Sequence, residues 1–504
     1  MRQLPCCPRP STLRRWLAAP CLLGLVALPG TAAAQKSLQP AGWDANLKLA
    51  EVADTNPDPK IVEVNIEAKL AKVELEPGKV VEAWTYNGSI PGPTIRANVG
   101  DRLIIHFTNN LPEATTIHSH GIRLPIAMDG VPGYSQSEVE KGGTFTYDYV
   151  VPDAGLFWYH PHVNAAAQVG NGLYGPLLVK DPAENVGATD ELLIVLSDIG
   201  LDEHDHLDDP NSGGTTGMAF GREGNIVLVN GRKASTITAR AGVPQRWRIL
   251  NPSKSRYFAL DLDGQDFKLI GTDGGLQEYP TTVSSLVIGA AERVDVIVTP
   301  QGKPGGELPF RSYVFNRGFG SVEFRPAEEA LFVIKFTDEA PYTAPAPPPI
   351  KRDIKPLSVV DATKVQMDLT IEQLQDGSFQ YGINKVAFNH SKPYLAKEGE
   401  TQIWTLTNKT PWTHPFHLHG FFFQVLDEKT GQPERPLAWK DTVSVPFEKT
   451  VKIVVKFDEG HPGKWMMHCH ILDHAEGGLM GAVQVGTPPP DKPTTTDHAP
   501  QHKH

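Results

Sequence analysis

Four short segments carry residue types and spacings that suit metal chemistry. They are His118-Ser-His120-Gly121, Trp158-Tyr-His160-Pro-His162, His414-Pro-Phe-His417-Leu-His419-Gly420 and His468-Cys469-His470-Ile-Leu-Asp-His474. Each contains His-x-His. On a strand, residues i and i+2 face the same side, so each pair can aim two imidazoles at one place. In the last segment Cys469 lies between two such histidines and points to the opposite face, so one strand can serve two metal sites. A few covalent bonds join its sulfur to both neighbouring imidazoles, which makes a ready path for electrons. His474 can return beside Cys469, and so can His414 from a neighbouring strand. Two His and one Cys form the ligand set of a blue-copper electron-transfer centre. A single His-x-His is weak evidence, because most such pairs are ordinary surface or core histidines. Four of them, with a cysteine inside one, point to metal. A structural zinc site takes three or four N/S ligands and would not need eleven. One blue-copper site alone would leave the four His-x-His pairs unexplained.

Cysteine usage sharpens this. The chain has four cysteines, and Cys6, Cys7 and Cys21 lie in an N-terminal stretch that reads as a leader. Arg2, Arg9, Arg14 and Arg15 make a basic start, Trp16 to Pro29 is mostly apolar, and Ala32-Ala33-Ala34 supplies small residues for cleavage. A signal peptide over 1–34 is therefore expected. The apolar run is short and broken by Pro20 and Pro29, which disfavours an anchor. Thr12-Leu13-Arg14-Arg15-Trp16-Leu17 resembles a twin-arginine signal in its arginine pair, a route that carries folded proteins. The expected location is periplasmic or secreted. The mature chain would keep one thiol, Cys469, a liability in an oxidising compartment unless buried or ligated. Removing the leader takes away four arginines and no acid, moving the formal charge from −11 to −15. Such an acidic protein is a poor candidate for binding nucleic acid. No other stretch is long and apolar enough to span a membrane, and a monomer is expected.

The elements that must position these residues read as strands. Period-two alternation recurs in Ile61–Ile66, Arg102–Phe107, Arg293–Val298 and Thr450–Val455, bounded by Gly, Pro, Asn and Asp. No long amphipathic helix is evident, so the class is all-β, with sandwiches. A domain-scale repeat supports this. Gly100, Gly242 and Gly399 each open a strand that ends at Asn109, Asn251 and Asn408, at roughly 150-residue spacing. Asn87-Gly88 and Asn230-Gly231 precede the first two, and Phe388-Asn389-His390 holds a similar place before the third. Three related domains follow, separated by a polar linker at Asp181 to Ala188 and a stiff proline-rich one from Pro341 to Pro356. After Val485, Pro488 to His504 has almost no apolar content and is expected to be disordered. Its His498, His502 and His504 are taken as solvated.

At the four histidine segments the chain resembles the multicopper oxidases, the family of laccases, ascorbate oxidase and bacterial copper oxidases. All four copper motifs occur in the family order. Tyr86-Asn87-Gly88, Pro91-Gly92-Pro93 and Met128-Asp129-Gly130-Val131-Pro132 resemble it too. The resemblance implies three tandem cupredoxin-like Greek-key β-sandwich domains, over 42–182, 190–340 and 357–487, the middle one without copper ligands. It implies four coppers. His414, Cys469 and His474 would bind one type 1 copper, with Leu479 at the axial position. His118 and His417 would bind one type 2 copper. His120, His160, His162, His419, His468 and His470 would bind two type 3 coppers. A small reducing substrate would give electrons at type 1, and Cys469 would pass them to the three-copper cluster, where O2 is reduced to water. Asp129 matches a proton-relay acid of the family; its bland alternative is a turn residue before Gly130.

Three departures bear on the substrate. Leu479 replaces the thioether found in some members, which leaves copper three-coordinate and raises its potential. Ser119 stands where Trp is common, without consequence for ligation. Ala475 follows the second type 1 histidine where some bacterial members have an acid, with Glu476 next. Met480, one residue after Leu479, would face away and pack. Dedicated cuprous oxidases often carry Met-rich inserts, whereas this chain has seven Met. Direct oxidation of Mn(II) or Fe(II) would want carboxylates near His414 or His474. Asp427, Glu428, Asp441 and Asp473 are candidates, each more simply a loop or strand-end charge. The acidic loop Glu203–Asp209 reads as a solvated turn. The expected activity is laccase-like, on phenols and aromatic amines. A metallo-oxidase of Cu(I), Mn(II) or Fe(II) is the alternative, and a catalytically silent exported scaffold is an alternative of another class.

Overall fold

The computed structural model describes residues 37–487 apart from 189, 234 and 322–325, so the expected leader at 1–34 and tail at 488–504 lie outside it. The alternating segments form strands in six sheets. The three α-helices among the described residues are short, the longest being Gly214–Phe220. The all-β expectation holds. No helix among the described residues is long and apolar enough to cross a membrane.

The three repeat segments become the same strand three times. Arg102–Asn109 runs parallel to Ile61–Glu76 and antiparallel to Thr144–Val150. Gln245–Leu250 runs parallel to Asp190–Ile199 and antiparallel to Arg293–Val298. Thr401–Asn408 runs parallel to Thr363–Gln373 and antiparallel to Thr450–Lys456. The first and third alternate in burial, as half-buried strands should, while Gln245–Leu250 is buried on both faces.

The asparagine that ends each strand explains its recurrence. Asn109 Nδ2 donates to the carbonyls of Glu113 and Val139, and its Oδ1 accepts from the Leu111 amide. Asn251 does the same with Arg256, Ile288 and Ser253, and Asn408 with Trp412, Val445 and Thr410. One side chain thus closes the turn and ties it to a distant carbonyl in each sandwich.

The upstream turn corrects one expectation. The third-domain counterpart of Asn87-Gly88 and Asn230-Gly231 is Asn384-Lys385, not Phe388-Asn389-His390, which forms a 3-10 turn. Asn87, Asn230 and Asn384 all have φ between 52° and 55°. Each Oδ1 accepts an amide on the neighbouring strand, from Glu67, Val195 and Asp368. Lys385 takes the left-handed place that Gly holds in the other two, with φ 65°.

Each repeat strand belongs to one sheet of its sandwich, and the histidines sit on the other. One such sheet has the order Ile95–Asn98, Gly175–Lys180, Gly155–His160, His118–His120. Its third-domain equivalent has the order Tyr394–Ala396, Met480–Val485, Gly463–Cys469, His414–Leu418, Thr442–Val445. His118–His120 and His414–Leu418 are therefore topological equivalents, each beside the strand carrying the second histidine motif. The middle-domain equivalents, Phe258–Asp261 and Glu307–Tyr313, contain no histidine. A continuous apolar core joins the first and third domains, with Phe107, Tyr159, Trp404 and Phe416 among its members, while the middle domain keeps its own around Trp247, Phe310 and Phe332. Burial of this surface is the main term favouring the fold. The proline-rich linker is docked rather than free: Ile350 packs with Val186, Ile270 and Leu276, and the Arg352 amide donates to Glu278.

Candidate metal centres

Strand register sorts the ligand candidates onto two faces. Cross-strand partners in an antiparallel ladder share a face. His417 pairs with His468, and Phe416 with Cys469, so the two histidines face one way and Cys469 the other. Met480 pairs with His468, which puts it on the face away from Cys469. His118 pairs with His160, and His120 with Trp158.

The face shared by His417 and His468 meets the first domain. Eight buried or largely buried imidazoles converge there, from His118, His120, His160, His162, His417, His419, His468 and His470. Neighbouring ring centroids lie 3.8 Å apart for His120 and His417, 4.1 Å for His118 and His419, and 5.4 Å for His162 and His468. Half of the cage comes from each of the two outer domains. Second partners orient the rings. His118 Nδ1 donates to the Asp129 carbonyl at 2.6 Å, His160 Nδ1 to Pro161 at 2.9 Å and His417 Nδ1 to Asp441 at 2.9 Å. His419 Nδ1 donates to Asp129 Oδ2 at 2.9 Å and His468 Nδ1 to the Cys469 carbonyl at 2.9 Å. With Nδ1 protonated, each Nε2 lone pair is left pointing inward. The Nε2 atoms of His118, His120, His160, His162, His417 and His470 are buried without a protein partner. An unpaired buried polar atom costs about 1–3 kcal/mol. Cations bound by neutral imidazole nitrogens resolve that cost. Burial, before any neighbouring charge, drives the pKa values of His120, His160, His162, His468 and His470 well down, which keeps them neutral and ligand-ready.

Asp129 is more than a turn residue. It is buried, and its carboxylate also reaches His118 Nδ1 at 3.3 Å. Burial alone would raise its pKa, but His419 and His118 outweigh that and hold it well below the carboxylate range. Gly130 lets it sit there, since a Cβ would lie 1.9 Å from the Ile117 carbonyl oxygen.

The other face carries a smaller site. His414 Nδ1 lies 3.3 Å from Cys469 Sγ, His474 Nδ1 lies 3.8 Å from it, and the two Nδ1 atoms are 3.1 Å apart. Thr410 fixes the His414 tautomer. Its Oγ1 donates to Asn408 Oδ1 at 2.9 Å and accepts from His414 Nε2 at 2.6 Å, which leaves the Nδ1 lone pair towards the sulfur. Tyr381 stacks on His474 at 4.5 Å and donates its hydroxyl to the Ala219 carbonyl. Leu479 is buried and pinned: its amide donates to His474 and its carbonyl accepts from Cys469. Burial pushes the Cys469 thiol up, so a thiolate in this place requires a cation beside it. Burial, and then Arg317, pushes His414 down to about 3. Two neutral imidazoles and one thiol that needs a cation to ionise fit a single copper ion.

The carboxylate candidates fall elsewhere. Asp441 does not face the Cys469 site. Its oxygens pair with Arg293 at 2.8 and 2.6 Å, and its Oδ1 lies 3.9 Å from His120, beside the eight-histidine cage. Sequence spacing offered it as a neighbour of His414 or His474, but it lies just before the adjacent strand, Thr442–Val445, and its carboxylate turns to Arg293. Asp473 is buried against Arg222, whose amide and guanidinium both donate to it. Asp427 caps its own turn by accepting the Lys429 and Thr430 amides. In the acidic loop, Asp202 accepts the His204 and His206 amides and Asp205 pairs with Lys79. Among the described residues, the groups of three or more metal-ligand types within 4.8 Å of one another draw only on the two sites, with Asp441 the one carboxylate. Glu476 accepts the Ala166 amide, and burial pushes it up to about 7. Sequence reading missed Arg293, Thr410 and Tyr381, which carry no spacing signal of their own.

Comparison with known proteins agrees in all three domains. Residues 67–184, 190–315 and 358–489 match three family models, each described as multicopper oxidase. A multicopper oxidase of Mycobacterium tuberculosis is 33% identical, covering 87% of this chain and 90% of its own. A laccase-2 of Cryptococcus neoformans is 26% identical over 80% of each. Among solved structures, a multicopper oxidase from Campylobacter jejuni described as a metallo-oxidase superposes with a TM-score of 0.77 at 29% identity, covering 87% of this chain and 94% of that one.

Proposed function

Because the chain belongs to the multicopper oxidases, copper-dependent oxidases that use O2 and a reducing substrate, we propose that its two sites divide the family's chemistry between them. His414, Cys469 and His474 would hold the type 1 copper, with Leu479 as a buried, non-ligating neighbour in the chain. His118 and His417 hold the type 2 copper, and His120, His160, His162, His419, His468 and His470 the two type 3 coppers. When bound, these four ions supply one-electron oxidation of the substrate and four-electron reduction of O2 to water. The observation that carries the assignment is the set of buried, unpartnered Nε2 atoms converging from two domains.

The chain's own residues do the rest. Cys469 joins the two sites covalently, since its neighbours His468 and His470 belong to the cage while its sulfur faces His414 and His474. Asp129 orients His118 and His419, and as the ionised carboxylate touching both it is the acceptor through which a proton bound for the cluster would be relayed. Thr410 and Tyr381 fix the two type 1 histidines and cover them from water.

The donor is a phenol or aromatic amine. Two features support this. The carboxylate next to His474 in the chain, Asp473, is already paired with Arg222, and Asp441 is turned to the other site and paired with Arg293. Above His474 lies an aromatic series: Trp412 at 6.3 Å, then Phe220 5.2 Å from Trp412, then Phe319, 69% exposed and 5.9 Å from Phe220. The Campylobacter jejuni neighbour favours metal-ion oxidation as the second reading. Oxygen uptake by the copper-loaded protein decides between them. Consumption with phenolic donors is expected; consumption with Cu(I), Mn(II) or Fe(II) and none with phenols would overturn the substrate reading. Export to the periplasm or medium with loss of residues 1–34 completes the proposal, and N-terminal sequencing of the secreted protein tests it.

A further inference from the structure

The middle domain contributes no histidine to either site, yet it reaches the eight-histidine cage through one side chain. Arg293 opens the strand Arg293–Val298 and is 1% exposed. Its guanidinium is used on every side. Nε donates to the Leu156 carbonyl of the first domain at 2.8 Å. Nη1 and Nη2 donate to Asp441 of the third domain at 2.8 and 2.6 Å, a two-pronged pair. Nη1 also donates to Ala291 and Nη2 to Asp273 within the middle domain. The guanidinium therefore joins all three domains at one point.

That point borders the cage. Arg293 Nη1 lies 3.5 Å from His120 Nδ1. Asp441 accepts His417 Nδ1 on its carbonyl at 2.9 Å, and its Oδ1 lies 3.5 Å from the same nitrogen. His120 and His417 stack at 3.8 Å, one from each outer domain. Gly121, immediately after the first His-x-His, has φ +86°, and a Cβ there would lie 2.5 Å from Arg293 Nη2 and 2.6 Å from Asp441 Oδ2. The first motif thus ends in glycine where the ion pair passes. Asp273 reinforces the contact, accepting the Arg293 amide at 2.9 Å and pairing with Lys440, the residue before Asp441, at 3.2 Å.

We infer that Arg293 is a positioning residue for the three-copper site: acting through Asp441, the middle domain sets the separation of His120 and His417 and hence the fit of the cage to its ions. This rests on the ligand assignment proposed above. Any planar, bidentate role needs the guanidinium fork, which an ammonium lacks.

The test uses the full-length chain reconstituted with copper, with Arg293→Met and Arg293→Lys. Copper content, the blue type 1 absorbance and the type 2 electron paramagnetic resonance signal are read separately. Both variants are expected to keep the type 1 absorbance of the parent. Copper affinity at the three-copper site is expected to fall ~10–100-fold in Arg293→Met, the usual loss for a partner that orients ligands. Arg293→Lys is expected to fall less and to show shifted type 2 parameters. Parental affinity and type 2 parameters in both variants would overturn the inference. So would parallel loss of type 1 and type 2 signals in both, which would make Arg293 a residue of the fold alone. If instead the ligand assignment is wrong, the parent itself lacks the type 2 signal.

Discussion

Cys469 owes its role to alternation. Its neighbours His468 and His470 belong to one site and its sulfur to another, with nothing but strand geometry separating them. Leu479 is buried, and its backbone is tied to the type 1 candidates, its amide donating to His474 and its carbonyl accepting from Cys469. Leu479→Met would add a thioether that favours Cu(II), and a lower type 1 reduction potential is expected in redox titration. An unchanged or higher potential would show that the side chain at 479 does not border the copper. Asp129 orients two imidazoles at once. Asp129→Ala should weaken copper at the three-copper site by ~10–100-fold while leaving the blue absorbance in place; measured stoichiometry at limiting copper checks it.

Elements place these residues, and the repeated strand shows how. Asn251 has the same three hydrogen bonds as Asn109 and Asn408 but lies in the middle domain, which brings no histidine to either site. Asn251→Ala would strand a buried carbonyl, a part-buried one and a buried amide, costing about 3 kcal/mol, without changing copper per folded chain; urea unfolding and metal analysis check both halves. On the adjacent strand, Glu191 meets Arg248 at 2.9 Å and Lys180 at 3.1 Å. Burial would raise its carboxyl pKa, but Arg248 and Lys180 overcome that and hold it at about 2. A depressed acid stabilises above its unfolded value, near 4.3, and that contribution is lost as pH falls through about 2. Glu191→Gln should therefore destabilise the copper-free protein by on the order of 2 kcal/mol at neutral pH, with the difference vanishing in strong acid. Much of this level was legible in the sequence. Alternation and the three glycine-to-asparagine segments gave the class and the repeat, because both follow from local backbone rules. The third turn was not, since Lys385 occupies the left-handed place of glycine and hides the Asn-Gly signature.

The whole molecule is what brings four short motifs to one cage. Their spacing on paper said that each pair of imidazoles shares a face. It could not say that the first and third domains turn those faces together, nor that Arg293 of the second closes the contact. For the same reason Asp441 read as a neighbour of the type 1 site when it borders the other. A site built from two domains couples metal to stability: copper bound only by the folded arrangement adds about 2.7 kcal/mol at a free concentration of 100 times its dissociation constant. Copper loading is expected to raise the melting temperature, and His118→Ala, which removes a first-domain ligand, should abolish most of the increment. If one strand serves two copper sites through Cys469, paired spectra of the parent and Cys469→Ser will show it. The variant is expected to lose the blue absorbance and one copper per chain while keeping the type 2 resonance. A blue absorbance surviving without the thiol, or a type 2 signal lost with it in a folded chain, would contradict it.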